Sequence, residues 1–138
     1  MTIDDYDPVI GLVRTTPGVT FRDADKKGAM ARYLERNQGF SLVAGQNGKV
    51  IGCLLAGHDG RRGYLQHLIV IPECRNQGIA KAMINECLGK LAKVGIQKSH
   101  IDVLTDNDTA ACFWVKQVWI KRDDICRYSY IVTGGANA

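Results

Sequence analysis

The sequence of 138 residues predicts one α/β domain of the α+β kind, in which helices flank a mixed, mostly antiparallel central sheet. Three observations lead to this fold class. Two segments with helical periodicity come first, three strand-like segments joined by turns follow, and an amphipathic helix then leads into another strand. We expect the domain to cover residues 1–132 and residues 133–138 to form a flexible tail.

The N-terminal part of the chain predicts two amphipathic helices. Residues 4–14 form the first, because four apolar side chains share one face and an aspartate at position 4 or 5 can cap the start. Those four side chains are Tyr6, Val9, Ile10 and Val13. The second helix is predicted over Asp25–Asn37, and Gly39 lies just past its end.

The central part predicts a three-stranded antiparallel meander. Phe40–Ala44 and Lys49–Gly57 are strand-like, and Asn47-Gly48 between them favours a type I′ turn, which needs positive φ at both central residues. After a polar turn, Tyr64–Ile71 forms the third strand, which Pro72 ends.

The C-terminal half begins with the clearest helix of the sequence, which starts near Gln77 and ends before Gly95. Its apolar face consists of Ala80, Met83, Ile84, Cys87, Leu88 and Leu91. The next strand, His100–Leu104, should run parallel to the third, because a strand–helix–strand unit crosses over in that way. The remaining predicted elements are a helix over Thr109–Gln117 and strands over Trp119–Arg122 and Ile125–Val132.

Composition excludes several classes of protein. The net charge is only +4 and the basic residues are scattered, which argues against nucleic acid as a partner. The five cysteines are odd in number and form no C-x-x-C pair, which argues against a disulfide framework or a metal site. No apolar signal segment or membrane span is visible, so we expect a cytoplasmic protein without a membrane partner.

The segment between the third strand and the long helix combines features of an anion site. A helix start leaves backbone N–H groups without partners, and its dipole favours negative charge. Gly78 lets a phosphate approach the main chain, Ala80 keeps the next position open, and Arg75 adds a cation at the rim. The alternative is that Gly78 only eases a tight turn. Neither a G-x-x-x-x-G-K-[ST] nor a G-x-G-x-x-G pattern is present.

Two stretches of the chain resemble the GNAT superfamily of N-acetyltransferases. Leu68–Ala80 resembles the family signature [Q/R]-x-x-G-x-[G/A] after a strand that ends in V-x-P, and Asn107–Trp114 resembles the later N-x-x-A-x-x-F-[Y/W] helix. His58–Gly63 further resembles a small bacterial subgroup of the YpeA type. The resemblance implies a sheet splayed between the fourth and fifth family strands, with the first family strand short or absent.

The resemblance also implies acetyl-CoA as co-substrate and no metal. The coenzyme pyrophosphate would bind the backbone amides of the loop beside the Arg75 cation, the pantetheine arm would pair with the strand before the loop, and the later helix would line the cleft. The implied cofactor-binding residues are Leu68, Ile69, Val70, Arg75, Asn76, Gln77, Gly78, Ile79, Ala80, Asn107, Phe113 and Trp114.

Two side chains are candidates for the base that deprotonates an amine. Asp102 comes first, because it interrupts an apolar strand where some relatives carry a catalytic glutamate, although it could equally be a capping or solvent-facing residue. His67 is the rival, with Gln66 beside it, and a structural role for His67 is the alternative. Many relatives have tyrosine where this chain has Trp114, and an indole N–H is no general acid. Water or another tyrosine, Tyr64 or Tyr128, would then protonate the thiolate.

The function that these features predict is transfer of an acetyl group from acetyl-CoA to a primary amine, by direct attack in a ternary complex. The amine would be a small molecule, an amino acid or a peptide N-terminus. Two alternatives stay open, a catalytically weak acyl-CoA-binding sensor and a nucleotide-binding regulatory module. Val118-Trp119 replaces the family's usual glycine–aromatic pair and the first strand is short, so the sheet edges and the oligomer contacts stay open. A homodimer is the partner expected besides acetyl-CoA and the amine.

Overall fold

The computed structural model describes residues 1–132 and 134–138, and these fall into two compact units, residues 1–102 and 103–138. Thr133, the first residue of the predicted tail, lies outside the described residues. The single domain over 1–132 and the flexible tail therefore stay predictions.

Two helices open the first unit, as the sequence predicts. Helix α1 covers Tyr6–Thr15 and helix α2 covers Lys27–Arg36, and a single 3₁₀ turn precedes each of them. Their apolar faces form a core with one side of the sheet, which follows from the helical spacing of those side chains. The core residues are Val9, Ile10, Val13, Met30 and Leu34 from the helices and Cys53, Leu55 and Ile69 from the sheet.

The sheet contains four strands in sequential order, which are β1 (Leu42–Gln46), β2 (Lys49–His58), β3 (Gly63–Val70) and β4 (Ser99–Ile101). The first three pair antiparallel, and β4 pairs parallel to β3. Asn47 and Gly48 have φ values of 51° and 75°, which confirms the predicted turn between β1 and β2. Because residues 51–57 of β2 are all buried, this strand is covered on both faces.

Helix α3 (Ile79–Lys93) connects β3 to β4 and buries Met83, Ile84, Cys87 and Leu91. The pairing of β3 with β4 spans only Gly63–Leu65 and Ser99–Ile101, although β3 continues to Val70. Beyond Leu65, β3 has no paired β4 residue, because β4 ends at Ile101. The predicted mixed sheet is confirmed, and its splay stays a prediction. The predicted strand His100–Leu104 is shorter than expected, and the expectation that Asp102 lies within it is wrong.

Among its described residues, the second unit contains one regular element, helix α4 (Asp108–Lys116). The strands predicted over Trp119–Arg122 and Ile125–Val132 are wrong, since neither segment joins a ladder among the described residues. The β-branched and aromatic residues of these segments supply strand propensity, but a strand also needs a paired neighbour and a covered face. Several of the side chains are instead exposed, among them Ile120, Tyr128, Tyr130 and Val132.

No helix among the described residues has both the length and the apolar character that a membrane span would need.

Candidate functional site

The loop between β3 and α3 is shaped by three local features. A 3₁₀ turn at Pro72–Cys74 ends the strand, because proline fixes φ and lacks an N–H. Arg75 folds back, and its Nε donates to the carbonyl oxygen of Val70 at 2.9 Å. Gly78 then adopts a left-handed conformation with φ of 81°, and its carbonyl accepts the first helical hydrogen bond, from the N–H of Ala82 at 2.9 Å. Arg75 thus secures the end of β3 to the loop.

The start of α3 has no cap of its own. The side chain at the N-cap position is absent because that residue is Gly78, and no side chain caps the helix there. Among residues 1–132 and 134–138, no acceptor is bonded to the backbone N–H groups of residues 76–81. Residues 75–78 are also exposed. Unpaired N–H groups at a helix start attract anions, so this loop can bind a phosphate group.

Two requirements meet at Gly78. Its positive φ disfavours any residue with a Cβ, which supports the alternative that glycine serves the turn. Apart from the neighbouring residues in the chain, however, no heavy atom of the described residues lies within 4 Å of the point where a Cβ would be. Protein packing therefore does not fill the space beside Gly78, and a ligand can approach the main chain.

The strand that leads to this loop contains a β-bulge. Leu55 is paired with Gln66 and Cys53 with Ile69, so two residues of β3, His67 and Leu68, lie opposite one residue of β2. His67 has φ of 46°, which is uncommon outside glycine. The bulge begins at His67, two residues beyond Leu65, where the pairing of β3 with β4 ends. The stretch from Leu68 to Val70 consequently has no β4 neighbour on that edge.

The bulge directs His67 toward the turn before α2. Its Nε2 lies 2.6 Å from Oδ1 of Asp25, and the side chains are 18% and 7% exposed, respectively. Burial alone would raise the pKa of Asp25, but hydrogen bonds from His67 and from the backbone N–H of Arg22, together with the positive charge of Arg22, hold the pKa of this carboxyl below its usual range. Asp25 is therefore a carboxylate at neutral pH.

The backbone around this pair is also fixed by hydrogen bonds. The hydroxyl of Tyr6 donates to the carbonyl oxygen of Asp25 at 3.0 Å, and the thiol of Cys53 donates to the carbonyl oxygen of His67 at 3.4 Å. The sequence did not identify Asp25 as a site residue, because its position suggested only a helix start. Its partner His67 is 42 positions away, and no local pattern could join them.

The other predicted site residues are placed as follows. Asp102 directly follows the end of β4 and is exposed, so it does not interrupt an apolar strand. In the second unit, Asn107 is the N-cap of α4, and its Oδ1 accepts from the N–H of Ala110 at 3.0 Å. Trp114 is buried, with its ring centroid 5.3 Å from that of Phe113 and 4.7 Å from that of Trp119.

In the described part of the chain, no three or more histidine, cysteine, aspartate or glutamate side chains lie close enough together to hold a metal ion.

Comparisons with known proteins extend these observations. A sequence model of the acetyltransferase (GNAT) family matches residues 12–117. A curated acetyltransferase from Pectobacterium atrosepticum is 38% identical over 85 residues, which cover 62% of this chain and 60% of that relative. The match thus spans less than two thirds of the relative's length.

Solved structures share the fold at low sequence identity. The crystal structure of Ard1 from Thermoplasma volcanium has a TM-score of 0.76 and 16% identity, covering 87% of this chain and 79% of that one. The PaiA N-acetyltransferase from Thermoplasma acidophilum, in complex with coenzyme A, has a TM-score of 0.74 and 21% identity, covering 85% of this chain and 84% of that one.

Proposed function

Because the chain belongs to the GNAT acetyltransferase family, we propose that it transfers an acetyl group from acetyl-CoA to a primary amine. The observation that carries the proposal is the start of α3, where the N–H groups of residues 76–81 have no acceptor among the described residues and the space beside Gly78 is open. The pyrophosphate of coenzyme A is an anion of the class that such a helix start binds.

The loop would bind the coenzyme mainly through its backbone. Amides from Asn76 to Ala80 would donate to the phosphate oxygens, and the guanidinium of Arg75 would add positive charge while its Nε keeps the loop attached to β3. A backbone site of this kind would depend on the turn and on the glycine at position 78.

The pantetheine arm would lie along β3. Beyond the bulge, Leu68–Val70 lack a β4 neighbour on one edge, and an extended ligand with amide groups can pair with such an edge. The proposed coenzyme-binding residues also include Asn107, Phe113 and Trp114, because they match the family motif of α4. In the second unit, Asn107 accepts a helix N–H through Oδ1, so its Nδ2 is the part left to donate to a ligand.

Amide formation needs a neutral amine, a polarised thioester carbonyl and a proton for the leaving thiolate. A backbone N–H near the bulge would polarise the carbonyl. His67 and Asp102 remain the two proposed bases, and they differ in surroundings, since His67 is bonded to a buried carboxylate whereas Asp102 is exposed. The indole of Trp114 supplies no acid, so water, Tyr64 or Tyr128 would protonate the thiolate.

The acceptor is proposed by chemical class only. A primary amine on a small molecule, an amino acid or a peptide N-terminus would meet the requirements of the reaction. The curated relative, of which the match covers 60%, is an acetyltransferase, and this supports the proposed reaction. We also propose that the amine attacks acetyl-CoA within a ternary complex, that the protein is cytoplasmic and that it forms a homodimer.

The test is to incubate the purified protein with acetyl-CoA and each amine of a panel, and to monitor turnover of the thioester through the release of free thiol. Isothermal calorimetry with acetyl-CoA, ATP and NAD should show affinity for acetyl-CoA alone. Binding of acetyl-CoA without turnover of any amine would favour an acyl-CoA sensor, which Trp114 in the position of an acid would suit. Tighter binding of ATP or NAD would contradict the proposal and favour a nucleotide-binding module.

A further inference from the structure

We infer that Asp25 is a positioning residue, which holds His67 in the orientation in which it accepts a proton from the amine. This inference rests on the proposed acetyl transfer. The juxtaposition of a buried carboxylate and a strand histidine at a bulge assigns this role to the pair. Asp25 would act through His67 and would not itself touch the substrate.

The geometry of the pair fixes which ring nitrogen is free. Oδ1 of Asp25 lies 2.6 Å from Nε2 of His67, and a carboxylate can only accept, so Nε2 carries the hydrogen. In neutral histidine the other nitrogen then has a lone pair. No donor within residues 1–132 and 134–138 is bonded to Nδ1. This nitrogen is therefore available to accept a proton.

The carboxylate is itself held in place. Its second oxygen, Oδ2, accepts from the backbone N–H of Arg22 at 2.7 Å, and the main chain of Asp25 is fixed by the hydroxyl of Tyr6. Asp25 is buried, whereas 18% of the His67 side chain reaches solvent. A buried orienting group and a partly accessible ring are what a base needs when it must receive a proton from an incoming amine.

The bulge connects the pair to the proposed coenzyme site. His67 lies on β3 immediately before Leu68–Val70, the stretch proposed to pair with pantetheine. The extra residue at the bulge changes the direction of the His67 side chain relative to a regular strand. The positive φ of His67 shows that this direction is reached at a cost to the backbone, and strained residues are frequent at functional sites.

The titratable groups around the pair leave Asp25 as the counter-charge. Burial raises the pKa of the Cys53 thiol to about 12, so this neighbour stays neutral. Tyr6 donates its hydroxyl to a main-chain carbonyl, and Arg22 is a cation whose backbone N–H binds Asp25. When His67 takes up a proton, the resulting imidazolium is therefore balanced by the carboxylate of Asp25.

The proton balance of the step is as follows. The ammonium form of the acceptor gives one proton to Nδ1 of His67, and the neutral amine nitrogen attacks the thioester carbonyl carbon. The new C–N bond forms, the C–S bond breaks, and the second proton on nitrogen ends on the thiolate sulfur. His67 then releases its proton to solvent, so that each turnover yields amide, thiol and one proton.

Asp25→Asn tests the positioning role directly. An asparagine whose amide faces Nε2 favours the opposite tautomer, with hydrogen on Nδ1, which removes the lone pair that the reaction uses. We expect kcat with the best amine to fall by about 10- to 100-fold, and His67→Gln to lower it by about 100-fold or more. The double variant should be no slower than His67→Gln. Affinity for acetyl-CoA should stay within about twofold of the unmodified protein in all of them.

A spectroscopic readout separates this role from a purely structural one. The chain has three histidines, and nitrogen-15 spectra of the imidazoles should show His67 with hydrogen on Nε2 in the unmodified protein and on Nδ1 in Asp25→Asn. Asp25→Glu keeps a carboxylate and should retain the original tautomer.

Three results would overturn the inference. These are hydrogen on Nδ1 of His67 in the unmodified protein, an Asp25→Asn variant with unchanged tautomer and turnover, and additive losses in the double variant. A variant that fails to fold leaves the first measurement intact. No turnover of any amine by the unmodified protein would instead overturn the proposed function, and the inference with it.

Discussion

Helices α3 and α4 carry the two family motifs, and they begin in opposite ways. At the start of α3 the N-cap is Gly78 and the first N–H groups have no acceptor among the described residues. At the start of α4 the side chain of Asn107 accepts from the N–H of Ala110. Both helices face the same requirement, because every helix start exposes unpaired donors. At α4 one of these donors has an acceptor within the chain, whereas at α3 the donors of residues 76–81 have none among the described residues.

Their C-terminal ends are alike in hydrogen bonding and differ in residue type. In α3 the N–H of Ile96 donates to Leu91 and the residue in the left-handed conformation is Gly95, with φ of 83°. In α4 the N–H of Trp119 donates to Trp114 in the same pattern, but the left-handed residue is Val118, with φ of 65°. Both ends follow the Schellman pattern, in which glycine is the usual choice. The comparison therefore separates the start of α3, where the first donors have no acceptor among the described residues, from the end of α4, where the backbone carries strain.

The largest expected effect comes from placing a carboxylate at the open helix start. In Gly78→Asp the side chain enters the space proposed for the pyrophosphate and repels it. Loss of one or two charge-assisted hydrogen bonds of about 1.5–3 kcal/mol each predicts acetyl-CoA binding weaker by about 10-fold at the least and about 10⁴-fold at the most. Calorimetry with acetyl-CoA measures this change.

Two variants control for charge and for strain. Gly78→Asn has the same shape and tolerates positive φ, so it should lose less affinity than Gly78→Asp. Gly89→Asp carries the charge on an exposed part of α3, about 16 Å along the helix from Gly78, and should bind acetyl-CoA normally. Normal affinity in Gly78→Asp would rule out this loop as the coenzyme site.

A smaller effect is expected at the capped start of α4. Asn107→Ala removes the acceptor for the N–H of Ala110 and should lower the free energy of unfolding by about 1 kcal/mol. Asn107→Asp keeps an oxygen acceptor there and should keep the stability. Urea denaturation of both variants measures the cap.

The same pair of variants tests the proposed contact of Asn107 with the coenzyme. Asn107→Asp loses the amide donor while it keeps the cap. Weaker acetyl-CoA binding in Asn107→Asp at unchanged stability would therefore support the contact, whereas equal affinity would leave Asn107 with the cap alone.

The sequence predicted the elements whose signals are local. Helix α3 followed from its apolar spacing, Gly95 marked its end, and Asn47-Gly48 fixed the turn between β1 and β2. The loop before α3 could also be located, because a helix start and Gly78 are read from neighbouring residues. Each of these features depends on contacts within a few positions of the chain.

The features that the sequence did not predict depend on distant residues. The pairing of His67 with Asp25 joins β3 to a turn 42 positions earlier, and the bulge that allows it leaves no pattern in the sequence. The strands predicted after Trp114 failed for the same reason, since strand propensity does not specify a partner. The end of β4 at Ile101, which leaves Asp102 outside the sheet, likewise reflects where pairing stops.

The smallest expected effect lies at the other end of α4 and has the opposite sign. Val118→Gly should raise the free energy of unfolding by about 0.5–1 kcal/mol. A β-branched residue with positive φ is strained by about 1–2 kcal/mol, and glycine removes this strain. Part of the gain is offset because glycine gives the unfolded chain more conformational freedom. The side chain of Val118 is 89% exposed, so little apolar burial is lost with it. Val94→Gly is the matched control, since Val94 ends α3 with φ of −100° and is 54% exposed. There glycine relieves no strain, and stability should fall. A lower stability of Val118→Gly would mean that the valine side chain contributes packing that outweighs its backbone strain.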